Sequence, residues 1–250
     1  KYGAPVTVAE AATAPGYTFS GWSRNDFTMP AENVTITGSF TANSNTEYTV
    51  RHHFQNILDD AYDADTAMLS ETLSGTTDTL TAAAAKTVAG FTAQSFQQKN
   101  IAGDGSTVVK VYYTRNEYTL TYDLNGSDAS WTDSAENKSN IYRYGAAVTI
   151  LTSNDLSRAG YAFGGWYTDV DCTTRWNEST MPAENTTLYA KWNAGQVNYT
   201  VNYYLQNVDG TDYVLQDTVS GSGETGQTVD VQKSYEGFTP KSDTPASITL

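Results

Sequence analysis

Cysteine is almost missing from this 250-residue chain: Cys172 stands alone, so no disulfide can form within it, and a thiolate metal site is disfavoured. Histidine is nearly as rare. His52 and His53 are the only two, which leaves little material for acid–base chemistry near neutral pH or for metal ligation. Basic residues are few, 14 against 28 acidic, and the formal net charge of −14 argues against nucleic-acid binding, which needs cations to neutralise phosphates. The same deficit disfavours anionic membrane surfaces. No run of about 18 apolar residues occurs, so no membrane insertion is expected in this segment. Neither Gly-x-Ser-x-Gly nor His-Glu-x-x-His is found, and no catalytic residue, cofactor site or metal site is assigned. The chain opens on Lys1-Tyr2-Gly3 without a charged and then apolar leader, and it reads as the inside of a longer protein.

What is abundant is neutral and polar. Charged residues make up 17% of the chain, while Thr, Ser, Asn and Gly are plentiful, and 18 Tyr and 5 Trp can supply much of the buried area of small domains. A surface of this kind suits an exported β-protein, and the negative charge keeps such a protein soluble.

One stretch occurs twice. Ala14 to Phe40 contains Gly16-Tyr17, Gly21-Trp22 and Met29 to Asn33, and Arg158 to Trp192 repeats these as Gly160-Tyr161, Gly165-Trp166 and Met181 to Asn185. Upstream, Tyr2-Gly3-Ala4 matches Tyr144-Gly145-Ala146. A second pattern alternates with the first: Tyr48-Thr49-Val50 to Asn56 matches Tyr199-Thr200-Val201 to Asn207, and both reach a Gly-Phe-Thr punctuation at Gly90 and Gly237. The two openings lie 151 residues apart (199 − 48). A fixed period of alternating units is the signature of a repeat array. The expected division is a partial type A unit at 1–45, a type B unit at 46–116, a complete type A unit at 117–195, and a type B unit lacking its last strand at 196–250. Residues 1–45 are accordingly expected to be incomplete, or completed by another chain.

Alternation at period two marks the strands. Tyr118, Leu120 and Tyr122 share one face, as do Leu188, Ala190 and Trp192, and Ile36, Gly38 and Phe40 keep the latter register in the first copy. Helical signals are confined to Leu80–Val88, with its four alanines, and a capped turn at Ser153–Leu156. Asn125-Gly126 predicts a tight turn with Gly taking positive φ, and Met-Pro-Ala-Glu-Asn predicts another in which Asn tolerates the left-handed region. The fold class is mainly β, in small tandem modules with a mixed sheet and at most one short helix each.

Tyr118 to Gly126, Tyr144-Gly145, Gly160 to Tyr167 and Leu188 to Trp192 together resemble the Listeria–Bacteroides repeat, also called the internalin B-repeat. The first copy departs at Ser23 and Phe40, where the second has Tyr167 and Trp192. The type B unit is similar, more loosely, to the mucin-binding-protein (MucBP) repeat, through its Tyr-Thr-Val opening, its Gly-Phe turn and the closing Val111-Tyr112-Tyr113. Both resemblances imply ubiquitin-like β-grasp modules strung along bacterial surface proteins, exported and often wall-anchored, and neither implies a catalytic residue.

The remaining candidates each have a plain structural reading beside the chemical one. His52 and His53 are adjacent on a strand, point to opposite faces and cannot share a metal; Tyr203 and Tyr204 replace them in the second copy, which favours packing. Asp59, Asp60, Asp63 and Asp65 crowd a loop but do not follow a calcium-binding spacing, and Asp123, Asn125 and Asp128 mimic half a calcium loop, although Asn125-Gly126 is already explained by a hairpin turn. Trp22, Trp166 and Trp192 fall on the core register. Trp131 and Trp176 sit in loops unique to one copy, as does Asp169–Cys172, and these two tryptophans are the candidate ligand contacts. The expected function is a non-catalytic stalk and adhesion segment of a cell-surface protein, its reach set by repeats and its weak contacts adding up. The alternative is a specific glycan- or host-protein-binding module that uses variable loops or a strand edge.

Overall fold

A computed structural model describes residues 1–62, 69–132 and 138–250. Among these residues every regular element is a strand and none is a helix. The chain divides into two compact units: Lys1–Glu117 with Arg143–Ala146, and Tyr118–Tyr142 with Ala147–Leu250.

The first unit begins with two ribbons. β1 (Pro5–Val6) pairs with β3 (Phe27–Thr28), and β2 (Tyr17–Phe19) pairs with β4 (Phe40–Ala42). Phe19 lies three positions before Trp22, a spacing that would send the two rings to opposite faces of a regular strand. Gly21, at φ 84°, breaks the strand between them, and the rings meet edge to face at 5.0 Å, with Phe40 tilted against Phe19 at 5.0 Å. Residues 1–45 thus hold small paired ribbons and no four-stranded sheet.

The larger part of this unit is a sheet of β5 (Thr46–Phe54), β6 (Leu69–Gly75), β7 (Phe91–Ala93) and β8 (Val108–Arg115), in the order β6-β5-β8-β7. Its two central strands are the first and the last and run parallel; the outer pairs are antiparallel. Alternation does what period two requires: Tyr48 and Val50 of β5 meet Val109, Val111 and Tyr113 of β8 in one core, completed by Ala83 and Ile101. The helix expected over Leu80–Val88 does not form. Its backbone N–H groups are claimed from outside the segment: Ala82 donates to the Tyr48 hydroxyl, Ala83 to Gln98 Oε1 and Lys86 to the Tyr113 hydroxyl. Of these, the Lys86 N–H is one that a helix over 80–88 would have bonded internally, and the other two lie in what would be its first turn.

The second unit carries the matching sheet. β9 (Glu117–Asp123), β10 (Ala129–Trp131), β11 (Ser139–Arg143), β12 (Leu156–Arg158), β13 (Tyr161–Tyr167) and β14 (Thr186–Ala194) follow one another in the chain. Four of them form a sheet in the order β11-β9-β14-β13, with β9 and β14 parallel, and β10 pairs with β12 beside it. The segments at 46–116 and 117–195, whose motifs differ, therefore share one strand order. A bulge at Gly164–Gly165 turns Phe163 and Trp166 into the same core, where Leu120, Leu156, Met181, Leu188 and Ala190 surround them. Residues 196–250 add the long hairpin β15 (Gln196–Gln206) and β16 (Tyr213–Glu224), and the short pair β17 (Thr228–Asp230) and β18 (Ser247–Thr249).

Two turn readings need correction. At Asn125-Gly126 it is Asn125 that takes positive φ, at 50°, and it tolerates this because its side chain donates to Val170 O and its N–H is taken by Asp123 Oδ1. Asn33 and Asn185 are not left-handed at all. Asn185 Oδ1 instead accepts the Thr119 N–H at 2.8 Å and ties the start of β9 to the turn before β14. Asn185→Ala should lower the unfolding free energy of the second unit by about 1 kcal/mol, while Asn185→Asp, which keeps the acceptor, should lose less. Urea denaturation checks this, and an unchanged midpoint in the alanine variant rules it out.

Candidate functional site

The two candidate tryptophans end up in different surroundings. Trp131 closes β10 opposite Leu156 and is half-buried. One side of its ring stacks toward Trp166 at 6.4 Å, and the Lys138 ammonium lies 5.5 Å from the ring centre. Trp176 was expected to be exposed and is not: it is 7% accessible and belongs to the core with Trp166. The reason lies in the inserted loop, which folds back on β13. Tyr167 bridges Arg175, and Trp176 N–H donates to Trp166 O at 2.9 Å. Among the described residues no acceptor meets the Trp176 indole N–H. The two rings therefore do not form a shared exposed platform.

The acidic candidates do not converge. Asp59 accepts from Asn56 Nδ2 and from Ala61 N–H, Asp60 pairs with Arg143, and Asp63 and Asp65 lie outside the described residues. Asp128 is 2.8 Å from Arg158 Nε, whose hydrogen bond holds its carboxyl below the usual range. In the insertion, Asp169 accepts the N–H groups of Thr173 and Thr174, which hold it low in the same way. Cys172, at φ 53°, lies near Asn125 Nδ2, and burial pushes its thiol up, away from the reactive thiolate. Among the described residues no group of three His, Cys, Asp or Glu is placed to hold a metal.

The histidines are packed on opposite faces of β5. His52, fully buried, shares a hydrogen bond of 2.8 Å with the Tyr113 hydroxyl, and its Nε2 lies 3.3 Å from Glu71. His53 stacks on Tyr112 at 5.0 Å. Lys86 Nζ sits 2.8 Å from Glu71, and its hydrogen bond, with a smaller one from His52, holds the Glu71 carboxyl below its ordinary 4.5. A depressed carboxylate stabilises above its unfolded value and loses that contribution as pH falls through its folded value. The first unit is thus expected to lose stability on acidification below about pH 4.5, and Glu71→Gln should flatten that part of a denaturation-midpoint-versus-pH curve. A shallow depression lined by Glu47, Tyr48, Thr72, Leu73, Ser74 and Ala82 brings one carboxylate together with hydroxyl and apolar side chains.

One recurrent constellation was missed from sequence. In the first unit the Gly16 carbonyl accepts both the Asn43 N–H (2.8 Å) and the Thr77 hydroxyl (2.8 Å), while Thr77 N–H donates to Asn43 O (2.9 Å). In the second, the Gly160 carbonyl accepts the Gly195 N–H (2.8 Å) and the Thr225 hydroxyl (2.6 Å), while Thr225 N–H donates to Gly195 O (2.9 Å). The available signal was the match of Ser74-Gly75-Thr76-Thr77-Asp78 to Ser222-Gly223-Glu224-Thr225-Gly226. It is out of step with the 151-residue period by three positions because the first copy has a longer loop before it.

Two stretches of the chain match models of known repeat families. Residues 118–191 match the family model described as Listeria-Bacteroides repeat domain, and residues 1–44 match that described as divergent InlB B-repeat domain. Two relatives come from Evansella cellulosilytica. One, provisionally named a membrane protein, is 36% identical over 99 residues, 39% of this chain and 12% of its own length. The other, provisionally named a Gly-rich membrane protein, is 32% identical over 104 residues, 38% of this chain and 11% of its own length. The chain therefore spans about one eighth of each relative it matches. Among the described residues no helix is long and apolar enough to cross a membrane.

Proposed function

We propose that this chain is a non-catalytic repeat segment, a spacer with adhesive capacity, in a bacterial cell-surface protein anchored elsewhere in its sequence. The observation that carries this reading is the use of one strand order, first and last strands parallel at the centre, by two adjacent units of unlike sequence. That is the structure of an array whose product is length and surface. The repeat-family matches of residues 1–44 and 118–191 support it, as do relatives named for membranes. Type B units act as a second module class of MucBP kind within the array.

The test is replacement in the parent protein. Exchanging this segment for unrelated folded modules of equal length should preserve export and most of the adhesion, because reach is the larger part of what the segment supplies and its own contacts are weak. Adhesion that is lost despite intact export and display excludes the spacer reading.

A second reading, a specific glycan- or host-protein-binding module, is favoured by Trp131, half-buried beside Lys138 at the end of a strand that only one copy has. A glycan array or pull-down with the whole chain should then show saturable binding that Trp131→Ala weakens by about tenfold or more, the scale of an aromatic hot spot. Equal binding by the variant excludes Trp131 as the contact.

A further inference from the structure

The carbonyl of Gly16 and the carbonyl of Gly160 sit at the same place in two type A segments, just before the Tyr that opens the antiparallel strand. Each accepts the same two donors, a linker N–H and a threonine hydroxyl from the following type B segment. Each linker residue, Asn43 or Gly195, passes its own carbonyl to that threonine's N–H. The linker residues differ and the residues after the threonines differ, Asp78 against Gly226, yet the bonding is the same and both of those residues take positive φ, 66° and 86°. The backbone part recurs once more inside the first unit, where Asn116 N–H donates to Gly90 O and Tyr144 N–H donates to Asn116 O, with Gly145 at φ 74°.

Space as well as bonding is specified. A Cβ on Gly16 would come within 2.3 Å of Gly103 Cα, and one on Gly103 within 1.9 Å of Pro15 O, so two backbones touch there with no room for a side chain. A Cβ on Gly160 would lie 2.6 Å from Thr225 Oγ1, and one on Gly195 2.7 Å from Gly160 O. Thr77 is 2% exposed and also shares a hydrogen bond with Thr46 at 2.8 Å. A loose tether would leave these carbonyls and N–H groups to water and would need no glycine contact.

We propose that the Gly-Tyr turn of a type A segment is a docking surface for the Thr-containing turn of the type B segment that follows it, and that this joint holds the two in one fixed orientation. The joint recognises its partner by chemistry: a β-hydroxyl and its own N–H, presented by a residue that precedes a left-handed position. It deepens the spacer reading, on which it rests for its use: an array jointed in this way has a defined reach, which a string of freely tethered modules lacks.

The test uses the whole chain in a Cys172→Ser background, with spin labels at Glu32→Cys and Lys110→Cys, both exposed and on either side of the first joint. Pulsed dipolar spectroscopy should give a single narrow distance distribution. Gly103→Ala, which drives a methyl group into Pro15 O, should broaden it. Thr77→Val keeps the shape and the N–H but removes the hydroxyl, and should speed amide exchange at position 77 by about tenfold, with Thr225→Val doing the same at position 225. The valine variants carry the test if Gly103→Ala fails to fold. A broad distribution in the parent chain overturns the joint and leaves the spacer reading standing, since a flexible string of modules still separates its ends. Unchanged exchange in both valine variants overturns it too.

Discussion

Trp166→Ala is expected to abolish the cooperative unfolding transition of the second unit, or shift it by an amount equivalent to about 3–5 kcal/mol, while the first unit unfolds as before. Trp166 is 3% exposed and touches aromatic neighbours on several sides: Tyr122 at 4.8 Å, Phe163 at 5.2 Å and Trp131 at 6.4 Å. Its indole N–H donates to Leu151 O at 2.6 Å, so truncation opens a cavity and also orphans a carbonyl. A small module has only about 5–15 kcal/mol to lose, and units of this size lie toward the low end. Trp166→Phe retains most of the buried area and should cost about 1–2 kcal/mol, chiefly the lost hydrogen bond. Thermal unfolding followed by far-UV circular dichroism reads both changes. An alanine variant that unfolds within about 1 kcal/mol of the parent would show that the core does not depend on this ring.

Tyr113 is expected to carry the first unit in the same way, through a different division of labour. Its ring is fully buried and stacks on Phe54 at 4.8 Å, while its hydroxyl accepts the Lys86 N–H at 2.8 Å and shares a hydrogen bond with His52. Tyr113→Phe removes the hydroxyl alone and takes a partner from the buried His52 ring and from the part-buried Lys86 N–H, which should cost about 1–3 kcal/mol. Tyr113→Ala adds a cavity and should cost about 3–5 kcal/mol or more. Besides the lower midpoint, the phenylalanine variant should show faster amide exchange at Lys86, because the 80–88 segment loses one of the tethers that keep it on the sheet. If Tyr113→Phe is as stable as the parent, the hydroxyl is not a strut.

The repeats and strands were legible because both are local properties of the chain. Period-two alternation at Tyr48–Val50 and Leu188–Ala190 carries its own register, and the doubled Met-Pro-Ala-Glu-Asn motif announces a turn between strands. What remained hidden depended on partners far away in sequence. Four alanines at 82–85 favour a helix by propensity, and only the fold reveals that Tyr48, Gln98 and Tyr113 reach across to take the N–H groups. Trp176 read as exposed because its loop has no counterpart, and its burial follows from a bridge between Tyr167 and Arg175 that composition does not announce. Asn185 was read for its own backbone when its side chain serves Thr119, sixty-six positions earlier. The joint at Gly16 and Thr77 stayed hidden for the same reason. It joins residues sixty-one apart, and a glycine near a turn has a sufficient local explanation already.

The central parallel pair in each sheet has a consequence for how these modules answer a pull. In residues 46–116 the chain enters at the start of β5 and leaves at the end of β8, and these two strands lie side by side, in register from Thr49↔Val108 to Phe54↔Tyr113. Tension between entry and exit drags the neighbours past each other along their length, so the whole ladder of bonds is loaded in shear and has to rupture together. An antiparallel pair pulled from its open ends would instead unzip one bond at a time. β9 and β14 repeat the arrangement from Leu120↔Thr186 to Asp123↔Tyr189. Load applied between the two ends of either unit therefore meets this parallel ladder in shear.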